Sequence, residues 1–201
     1  ACGSKDQINS MRRRLLPGLR RGNESMQSDT NLLHDLHAKE QIREVILTAA
    51  HAVDRGDKAL LKSCFHSDAL EEHASLFSGK AHDYIDHVSE PGPITVGAMH
   101  HMIGNMLITR DENVAWTESY TVVFARMTKK GVEYDTFTGG RYCDRLELRD
   151  GSWKIAHRKI VYDWNRDVPS SESWLLGMYD TSDPKMHLGR KDKDDISYQR
   201  F

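Results

Sequence analysis

The chain has 201 residues, with 28 basic and 30 acidic side chains and a formal net charge of −2. That length fits one domain of roughly 100–200 residues, and the near-neutral charge argues against a nucleic-acid-binding protein. No apolar run approaches the roughly 18 residues that a membrane span needs, so we expect no membrane partner. The 3 cysteines are widely spaced and form no disulfide or zinc pattern, which favours a cytoplasmic location.

Residues 1–29 are polar and include the arginine-rich run MRRRLLPGLRR. We predict a flexible basic N-terminal tail for this stretch. An arm that binds an anionic surface is the alternative, but a single basic run is weak evidence for one.

Three helices are predicted after the tail. Apolar residues from Ile42 to Val53 recur at three- and four-residue steps, which is typical of an amphipathic helix. Gly56 is expected to end that helix, and Asp57 to cap a second, short helix in KALLKSCF. The stretch SDALEEHASLFSG is predicted to be a short extended segment with a turn, and KAHDYIDHVSE a third helix.

Long strands follow, predicted at 97–109, 114–127, 132–148 and 153–164. The turns RDEN, TKKG and RDGS separate them and are typical of hairpins. Helices followed by hairpins indicate an α+β domain over residues 30–168, in which the sheet curls around a pocket that the helices close. Its outer face is expected to be apolar and to need covering, with Met102, Met106 and Ile108 on that face.

Residues 169–201 are predicted to form a C-terminal extension. Its apolar run WLLGMY could cover the mouth of the pocket or contact a neighbouring subunit. Its charged end, GRKDKDDISYQRF, is predicted to be a solvated tail.

Two adjacent histidines stand out in the stretch AMHHMIGNML. In a strand, His100 and His101 must point to opposite faces, but both faces are apolar and periodicity does not choose between them. Asp54 continues the buried face of the first predicted helix, and a buried carboxylate needs a partner. A histidine across the pocket would suit, since the carboxylate would orient the imidazole as a general base. Asp54 could instead cap the next helix or pair with Arg55 or Lys58.

Three segments together resemble a known family: AAHAVDRGDKALLKSCFHSDA, MHHMIGNMLITRDENVAWTESY and GGRYCDRLELRDGSWKIAHRKIVYDWNR. They are similar to the SnoaL-like branch of the nuclear-transport-factor-2-like (NTF2-like) superfamily. The resemblance implies a cone, in which a curved mixed sheet wraps around three N-terminal helices and encloses an apolar cavity. It also implies a homodimer or homotrimer.

The same resemblance implies a catalytic Asp–His dyad. The family aspartate at the end of the first helix matches Asp54, and the family histidine four residues before an asparagine matches His101, before Asn105. His100 would then point away from the pocket. The bile-acid dehydratase type carries a tyrosine five residues before its aspartate, where this chain has Ala49. The acid of the reaction therefore has to come from another residue.

Further residues are predicted to line or rim the pocket and to bind substrate. Arg141 lies beside two glycines in a strand and could bind a phenolate or enolate oxygen, or pair with Asp144 or Glu118. The full predicted substrate-binding set is His51, Asn105, Tyr120, Tyr134, Arg141 and Tyr162.

The sequence contains no HxH or HExxH motif and no glycine-rich phosphate loop, so we expect no metal and no cofactor. The leading hypothesis is a cofactor-independent lyase that eliminates water, or formaldehyde by C–C cleavage, from a hydrophobic and aromatic small molecule. The alternatives are an isomerase or cyclase that uses the same dyad, and a non-catalytic binding protein such as a dioxygenase-type small subunit.

Overall fold

The computed structural model describes residues 23–90 and 92–199. The chain divides into two compact units, residues 1–38 and 39–201. Of the first unit, the described residues are all helical, and most of the predicted basic tail lies outside the described residues. Helix α1 spans Asn23–Asp54. It therefore begins within the stretch 1–29 that was predicted to be a flexible tail.

The other two predicted helices are present as α2, Lys58–Ser63, and α3, Ala81–Val88. Asp57 caps α2, because its carboxylate accepts a hydrogen bond from the Leu60 amide at 3.1 Å. Gly56 separates α1 from α2 with a φ of +62°, a conformation that glycine adopts without strain. None of the helices described has the length and apolarity needed to cross a bilayer.

Six strands form a single curved, mixed sheet in the order β2-β1-β6-β5-β4-β3. The strands are β1, Phe65–His73; β2, Phe77–Lys80; β3, Ile94–Asp111; β4, Val114–Lys129; β5, Val132–Arg149; and β6, Ser152–Pro169. Strands β3 to β6 pair antiparallel, as the hairpin turns predicted, whereas β1 pairs parallel to β6. This α+β arrangement confirms the predicted fold class, and the predicted extended segment is a pair of strands.

The core lies between the helices and the face of the sheet that carries Tyr142, which we call the inner face. Its largest fully buried apolar side chains are Ile42, Ile46, Ile85, Leu146 and Ile155. Each of them stabilises the fold by roughly 1.5–3 kcal/mol relative to an exposed side chain.

A bulge in β3 changes which residues face outward. The pairing with β4 shifts between Ile103 and Met106, so the side-chain alternation inverts there. Met106 and Ile108 consequently point to the inner face, and the prediction that they share the outer face with Met102 is wrong. Leu107 takes the outer position instead and is 69% exposed. The homo-oligomer that this face was expected to form stays a prediction.

The adjacent glycines of β5, Gly139 and Gly140, allow two close approaches. The register with β6 shifts between Gly139 and Gly140. A methyl group on Gly140 would overlap the carbonyl oxygen of Val161, and one on Gly139 would overlap the indole of Trp164.

Replacing Gly140 by alanine is expected to destabilise the fold by about 1–3 kcal/mol, because a backbone carbonyl cannot move aside cheaply. Urea unfolding followed by circular dichroism measures this change. Gly189→Ala is the matched control, since nothing lies within 4 Å of the added carbon. Equal unfolding midpoints for the two variants would contradict the expectation.

Candidate active site

A cavity of about 580 Å³ lies between the helices and the inner face of the sheet, within residues 39–201. Its volume falls in the usual range of small-molecule sites. Apolar side chains make up much of its wall, including Leu61, Phe65, Ile85, Val96 and Ile160. The polar groups of the site converge on this apolar space.

His101 lines the cavity and contacts Asp54. The Nδ1 atom of His101 lies 2.6 Å from Oδ1 of Asp54, and the backbone amide of His101 donates to Oδ2 at 3.0 Å. The side chain of Asp54 is only 12% exposed and that of His101 only 9%. An ionised carboxylate only accepts hydrogen bonds, so Nδ1 carries the proton and the lone pair of Nε2 is left to act as a base.

The register of β3 places the two adjacent histidines on different faces. His101 pairs with Val123 and His100 with Phe124 of β4. The His100 ring lies on the outer face, with its centroid 6.0 Å from that of the Phe124 ring. Sequence periodicity did not distinguish the two histidines. The contact with Asp54 does, because only His101 makes it.

A second carboxylate–histidine pair faces the same cavity and was not predicted. Nε2 of His73 lies 2.8 Å from Oε1 of Glu71, whose residue is 3% exposed. The hydroxyls of Tyr84 and Tyr162 lie 3.2 and 3.3 Å from Nδ1 of His73. With Nε2–H donating to Glu71, the single lone pair of Nδ1 can accept a hydrogen bond from one of these hydroxyls. Burial raises the pKa of Tyr84, so its hydroxyl keeps its proton.

Alternation in ALEEH was the signal that could have revealed this pair. Ala69, Glu71 and His73 are spaced by two, and in a strand they share one face. In a segment predicted to be extended, this spacing places the carboxylate and the imidazole next to each other on that face.

A buried ion pair lies beside the two histidine pairs. Arg158 donates two hydrogen bonds of 2.8 Å to Asp144, and the guanidinium lies 4.4 Å from the centroid of the Tyr142 ring. Burial opposes the charged form of Arg158, but Asp144 together with Glu71 and Tyr142 raises the pKa of Arg158. Burial also raises the pKa of Tyr142, whose ring centroid is 6.3 Å from that of His101. This phenol is therefore a protonated hydrogen-bond donor beside the base.

Several residues predicted to bind substrate lie outside the cavity. Tyr120 is 51% exposed on the outer face. Arg141 also lies there and pairs with Glu118 at 3.1 Å and Asp163 at 3.3 Å. Asn105 is exposed within the β3 bulge, which breaks the alternation that placed it on the same face as His101.

The remaining predicted residues divide between the rim and other contacts. Tyr162 is half exposed and reaches the cavity through His73. Tyr134 lies near the start of β5, opposite Met127 of β4, and is not among the residues that line the cavity. The His51 ring lies 5.9 Å from that of Tyr198, outside the lining. Within the described ranges, no three histidine, cysteine or acidic side chains are arranged to hold a metal ion.

A curved six-stranded mixed sheet with N-terminal helices and an inner cavity defines the NTF2-like class. The chain belongs to the SnoaL-like domain family, whose model matches residues 34–159.

Solved structures share this fold at low sequence identity. One is a protein provisionally named scytalone dehydratase from Novosphingobium aromaticivorans, with a TM-score of 0.59 and 23% identity over 72% of this chain and 93% of that one. Another is a type 2 hexachlorocyclohexane dehydrochlorinase, with a TM-score of 0.63 and 14% identity over 69% and 94% of the two chains. The type 3 enzyme from Novosphingobium barchaimii has a TM-score of 0.60 and 16% identity, with coverage of 68% and 93%. Comparison with functionally curated proteins gives no match.

Proposed function

We propose that this protein is a cofactor-independent lyase that eliminates a small group from a hydrophobic, aromatic compound. The observation that carries this proposal is the contact of Asp54 with His101, a histidine that lines a largely apolar cavity. A buried ionisable pair is costly to a fold that uses the cavity only for binding.

His101 is the general base of the proposed reaction. Its Nε2 takes a proton from a substrate carbon, the C–H electrons form the new double bond, and the bond to the leaving group breaks. In the alternative reaction, Nε2 takes the proton of a hydroxymethyl group and the O–H electrons form the C=O bond of formaldehyde. The C–C bond breaks, and its electron pair stays on the remaining carbon, which takes the proton back from the imidazolium. Asp54 stabilises the imidazolium in both cases, and a hydrogen bond to a charged group contributes roughly 1.5–3 kcal/mol.

The Glu71–His73–Tyr84 cluster is the proposed acid. A dehydration needs a proton on the departing oxygen, and the tyrosine that would supply it in one branch of the family is Ala49 here. His73 and its tyrosines line or rim the same cavity as His101, so they can reach the other side of a bound substrate. Glu71 would stabilise a protonated His73, as Asp54 does for His101.

The named relatives agree with this reaction class. Dehydratases and dehydrochlorinases are lyases, and both occur among the solved structures with this fold. Their sequence identities of 23% and 14% support the fold alone, so the substrate has to be found by experiment.

Product mass is the direct test. The purified protein is incubated with a panel of aromatic alcohols, including lignin-type dimers with a hydroxymethyl group, and the products are analysed by mass spectrometry. The expected product has lost the mass of water or of formaldehyde, and the His101→Ala variant gives none. An unchanged mass with a new retention time identifies an isomerase, and unchanged substrates throughout the panel contradict the lyase proposal.

A further inference from the structure

The C-terminal segment 189–199 is fastened to the end of α1 and the start of α2. Arg55 donates to the carbonyl of Arg190 at 3.1 Å, and its Nε lies 3.5 Å from Oδ1 of Asp195. Asp195 is 3% exposed and accepts from the Arg190 amide at 2.7 Å. The prediction of a solvated tail is therefore wrong for this part of the chain, because its charges find partners on the helices.

Asp57 provides a second attachment for this segment. Its carboxylate accepts from the Tyr198 hydroxyl at 3.0 Å and pairs with Lys193. Gly56 leaves room for the backbone of the segment, since a Cβ there would lie 3.1 Å from the Lys191 carbonyl oxygen. The segment consequently has a defined position over the α1–α2 junction.

This position directs the side chain of Lys191 into the cavity. Its ammonium donates a hydrogen bond to the carbonyl of Val53 and lies 3.7 Å from the sulfur of Met99. Val53 precedes Asp54, and Met99 shares the inner face of β3 with His101. The ammonium therefore lies close to the proposed base.

The other two cations of the cavity wall have carboxylate partners. Arg158 pairs with Asp144 at 2.8 Å, and Lys58 with Asp86 at 2.7 Å. Within the described part of the chain, no carboxylate oxygen lies within 4.0 Å of Lys191 Nζ. An ammonium has three N–H donors, and here its acceptors are one backbone oxygen and the thioether sulfur of Met99, which is a weak acceptor. Burial lowers the pKa of Lys191 and Asp54 opposes that change. An anion placed here would likewise favour the charged form.

We propose that Lys191 binds an anionic oxygen of the substrate, so that the cavity takes hydrophobic compounds bearing a carboxylate or a phenolate. The inference deepens the proposed function by naming the substrate class of the same site. The C-terminal segment supplies the cation, and the apolar wall accommodates the rest of the ligand. The anion would lie next to His101 and orient the reacting part of the substrate toward Nε2.

Binding of two matched ligand pairs tests this proposal without turnover. The first pair is 2-naphthoate and neutral 2-naphthamide, and the second is 2,4-dinitrophenolate and neutral 2,4-dinitroanisole. Dissociation constants are measured at pH 7 by calorimetry in the His101→Ala background, where no reaction occurs. We expect one anion to bind about tenfold more tightly than its neutral partner, since a charge-assisted hydrogen bond is about twice as strong as a neutral one. The pair that shows the preference identifies the anion.

Lys191→Met keeps most of the length of the side chain and removes its charge. This variant is expected to lose the preference for the anion while it binds the neutral ligand as before, and Lys191→Arg is expected to retain part of the preference. Lys185→Met, at an exposed position of the same C-terminal region, is the control and should retain it fully.

Three outcomes overturn the proposal. They are equal binding within both ligand pairs, an unchanged preference in Lys191→Met, and equal weakening of charged and neutral ligands in Lys191→Met. The last would show that Lys191 only holds the segment in place. Failure of the lyase proposal is separate, because it appears as unchanged substrates in the mass-spectrometry panel and leaves the binding constants unaffected.

Discussion

Replacing His101 by alanine is expected to lower turnover of an identified substrate by about 10²–10⁴-fold, the usual contribution of a general base. The physical reason is that the variant removes Nε2, the base that faces the cavity, and leaves the Asp54 carboxylate buried without an imidazole. The rate is measured at saturating substrate by product mass or absorbance. The substrate dissociation constant should change much less, since the base acts mainly in the transition state.

Asp54→Asn extends this prediction to the second member of the dyad. The amide keeps the shape of the carboxylate but cannot stabilise an imidazolium by charge, and it no longer selects one tautomer of His101. Most of the loss seen in His101→Ala is therefore expected here as well.

His100→Ala is the matched control for both variants. His100 lies next in sequence, and its ring contacts Phe124 on the outer face of the sheet. Turnover should stay near that of the unmodified protein, with any effect confined to stability or assembly. Loss of turnover in His100→Ala together with normal turnover in His101→Ala would show that the dyad is not the catalytic pair.

Removing Asp144 is expected to destabilise the fold by about 3–5 kcal/mol, the usual cost of leaving one member of a buried ion pair alone. The Asp144→Ala variant leaves the guanidinium of Arg158, whose side chain is 6% exposed, without its carboxylate partner. Asp144 accepts both of the 2.8 Å hydrogen bonds that this guanidinium donates. Chemical denaturation followed by tryptophan fluorescence measures the change in the free energy of unfolding.

Two further variants test whether the loss of stability comes from an unpaired charge that is buried. The double variant Asp144→Leu with Arg158→Met should be more stable than Asp144→Ala, because no charge is left buried without a partner. Asp68→Ala breaks the exposed pair with Arg149 and should have little effect, as surface pairs generally do. If Asp144→Ala and Asp68→Ala unfold at the same denaturant concentration, the buried pair does not stabilise the fold as we expect.

Much of the fold was predictable from local patterns. The apolar spacing from Ile42 to Val53 reports a helix face directly, and DG and KG turns mark hairpins through the backbone conformations that glycine permits. The parallel pairing of β1 with β6 was not predictable in this way. Its hydrogen bonds join residues far apart in sequence, and no local pattern encodes them.

The candidate site was also predictable only in part. The sequence pattern brought Asp54 to a buried helix face, and the family resemblance selected His101 over its neighbour. The structure then placed the two side chains in contact. Asn105, Tyr120 and Arg141 were expected in the pocket, but strand alternation and the β3 bulge direct them elsewhere.

The sequence by itself determined the helices, the four long strands, the α+β class and the candidate dyad, because these follow from spacing along the chain or from motif likeness. Only the tertiary structure placed Glu71 and His73 in the cavity that His101 lines. It also placed Lys191, from the charged C-terminal end, in contact with the carbonyl of Val53. Such contacts depend on how strands pair and where a segment finds partners for its charges, which is decided by long-range packing. The groups that surround the proposed base are therefore a property of the folded chain.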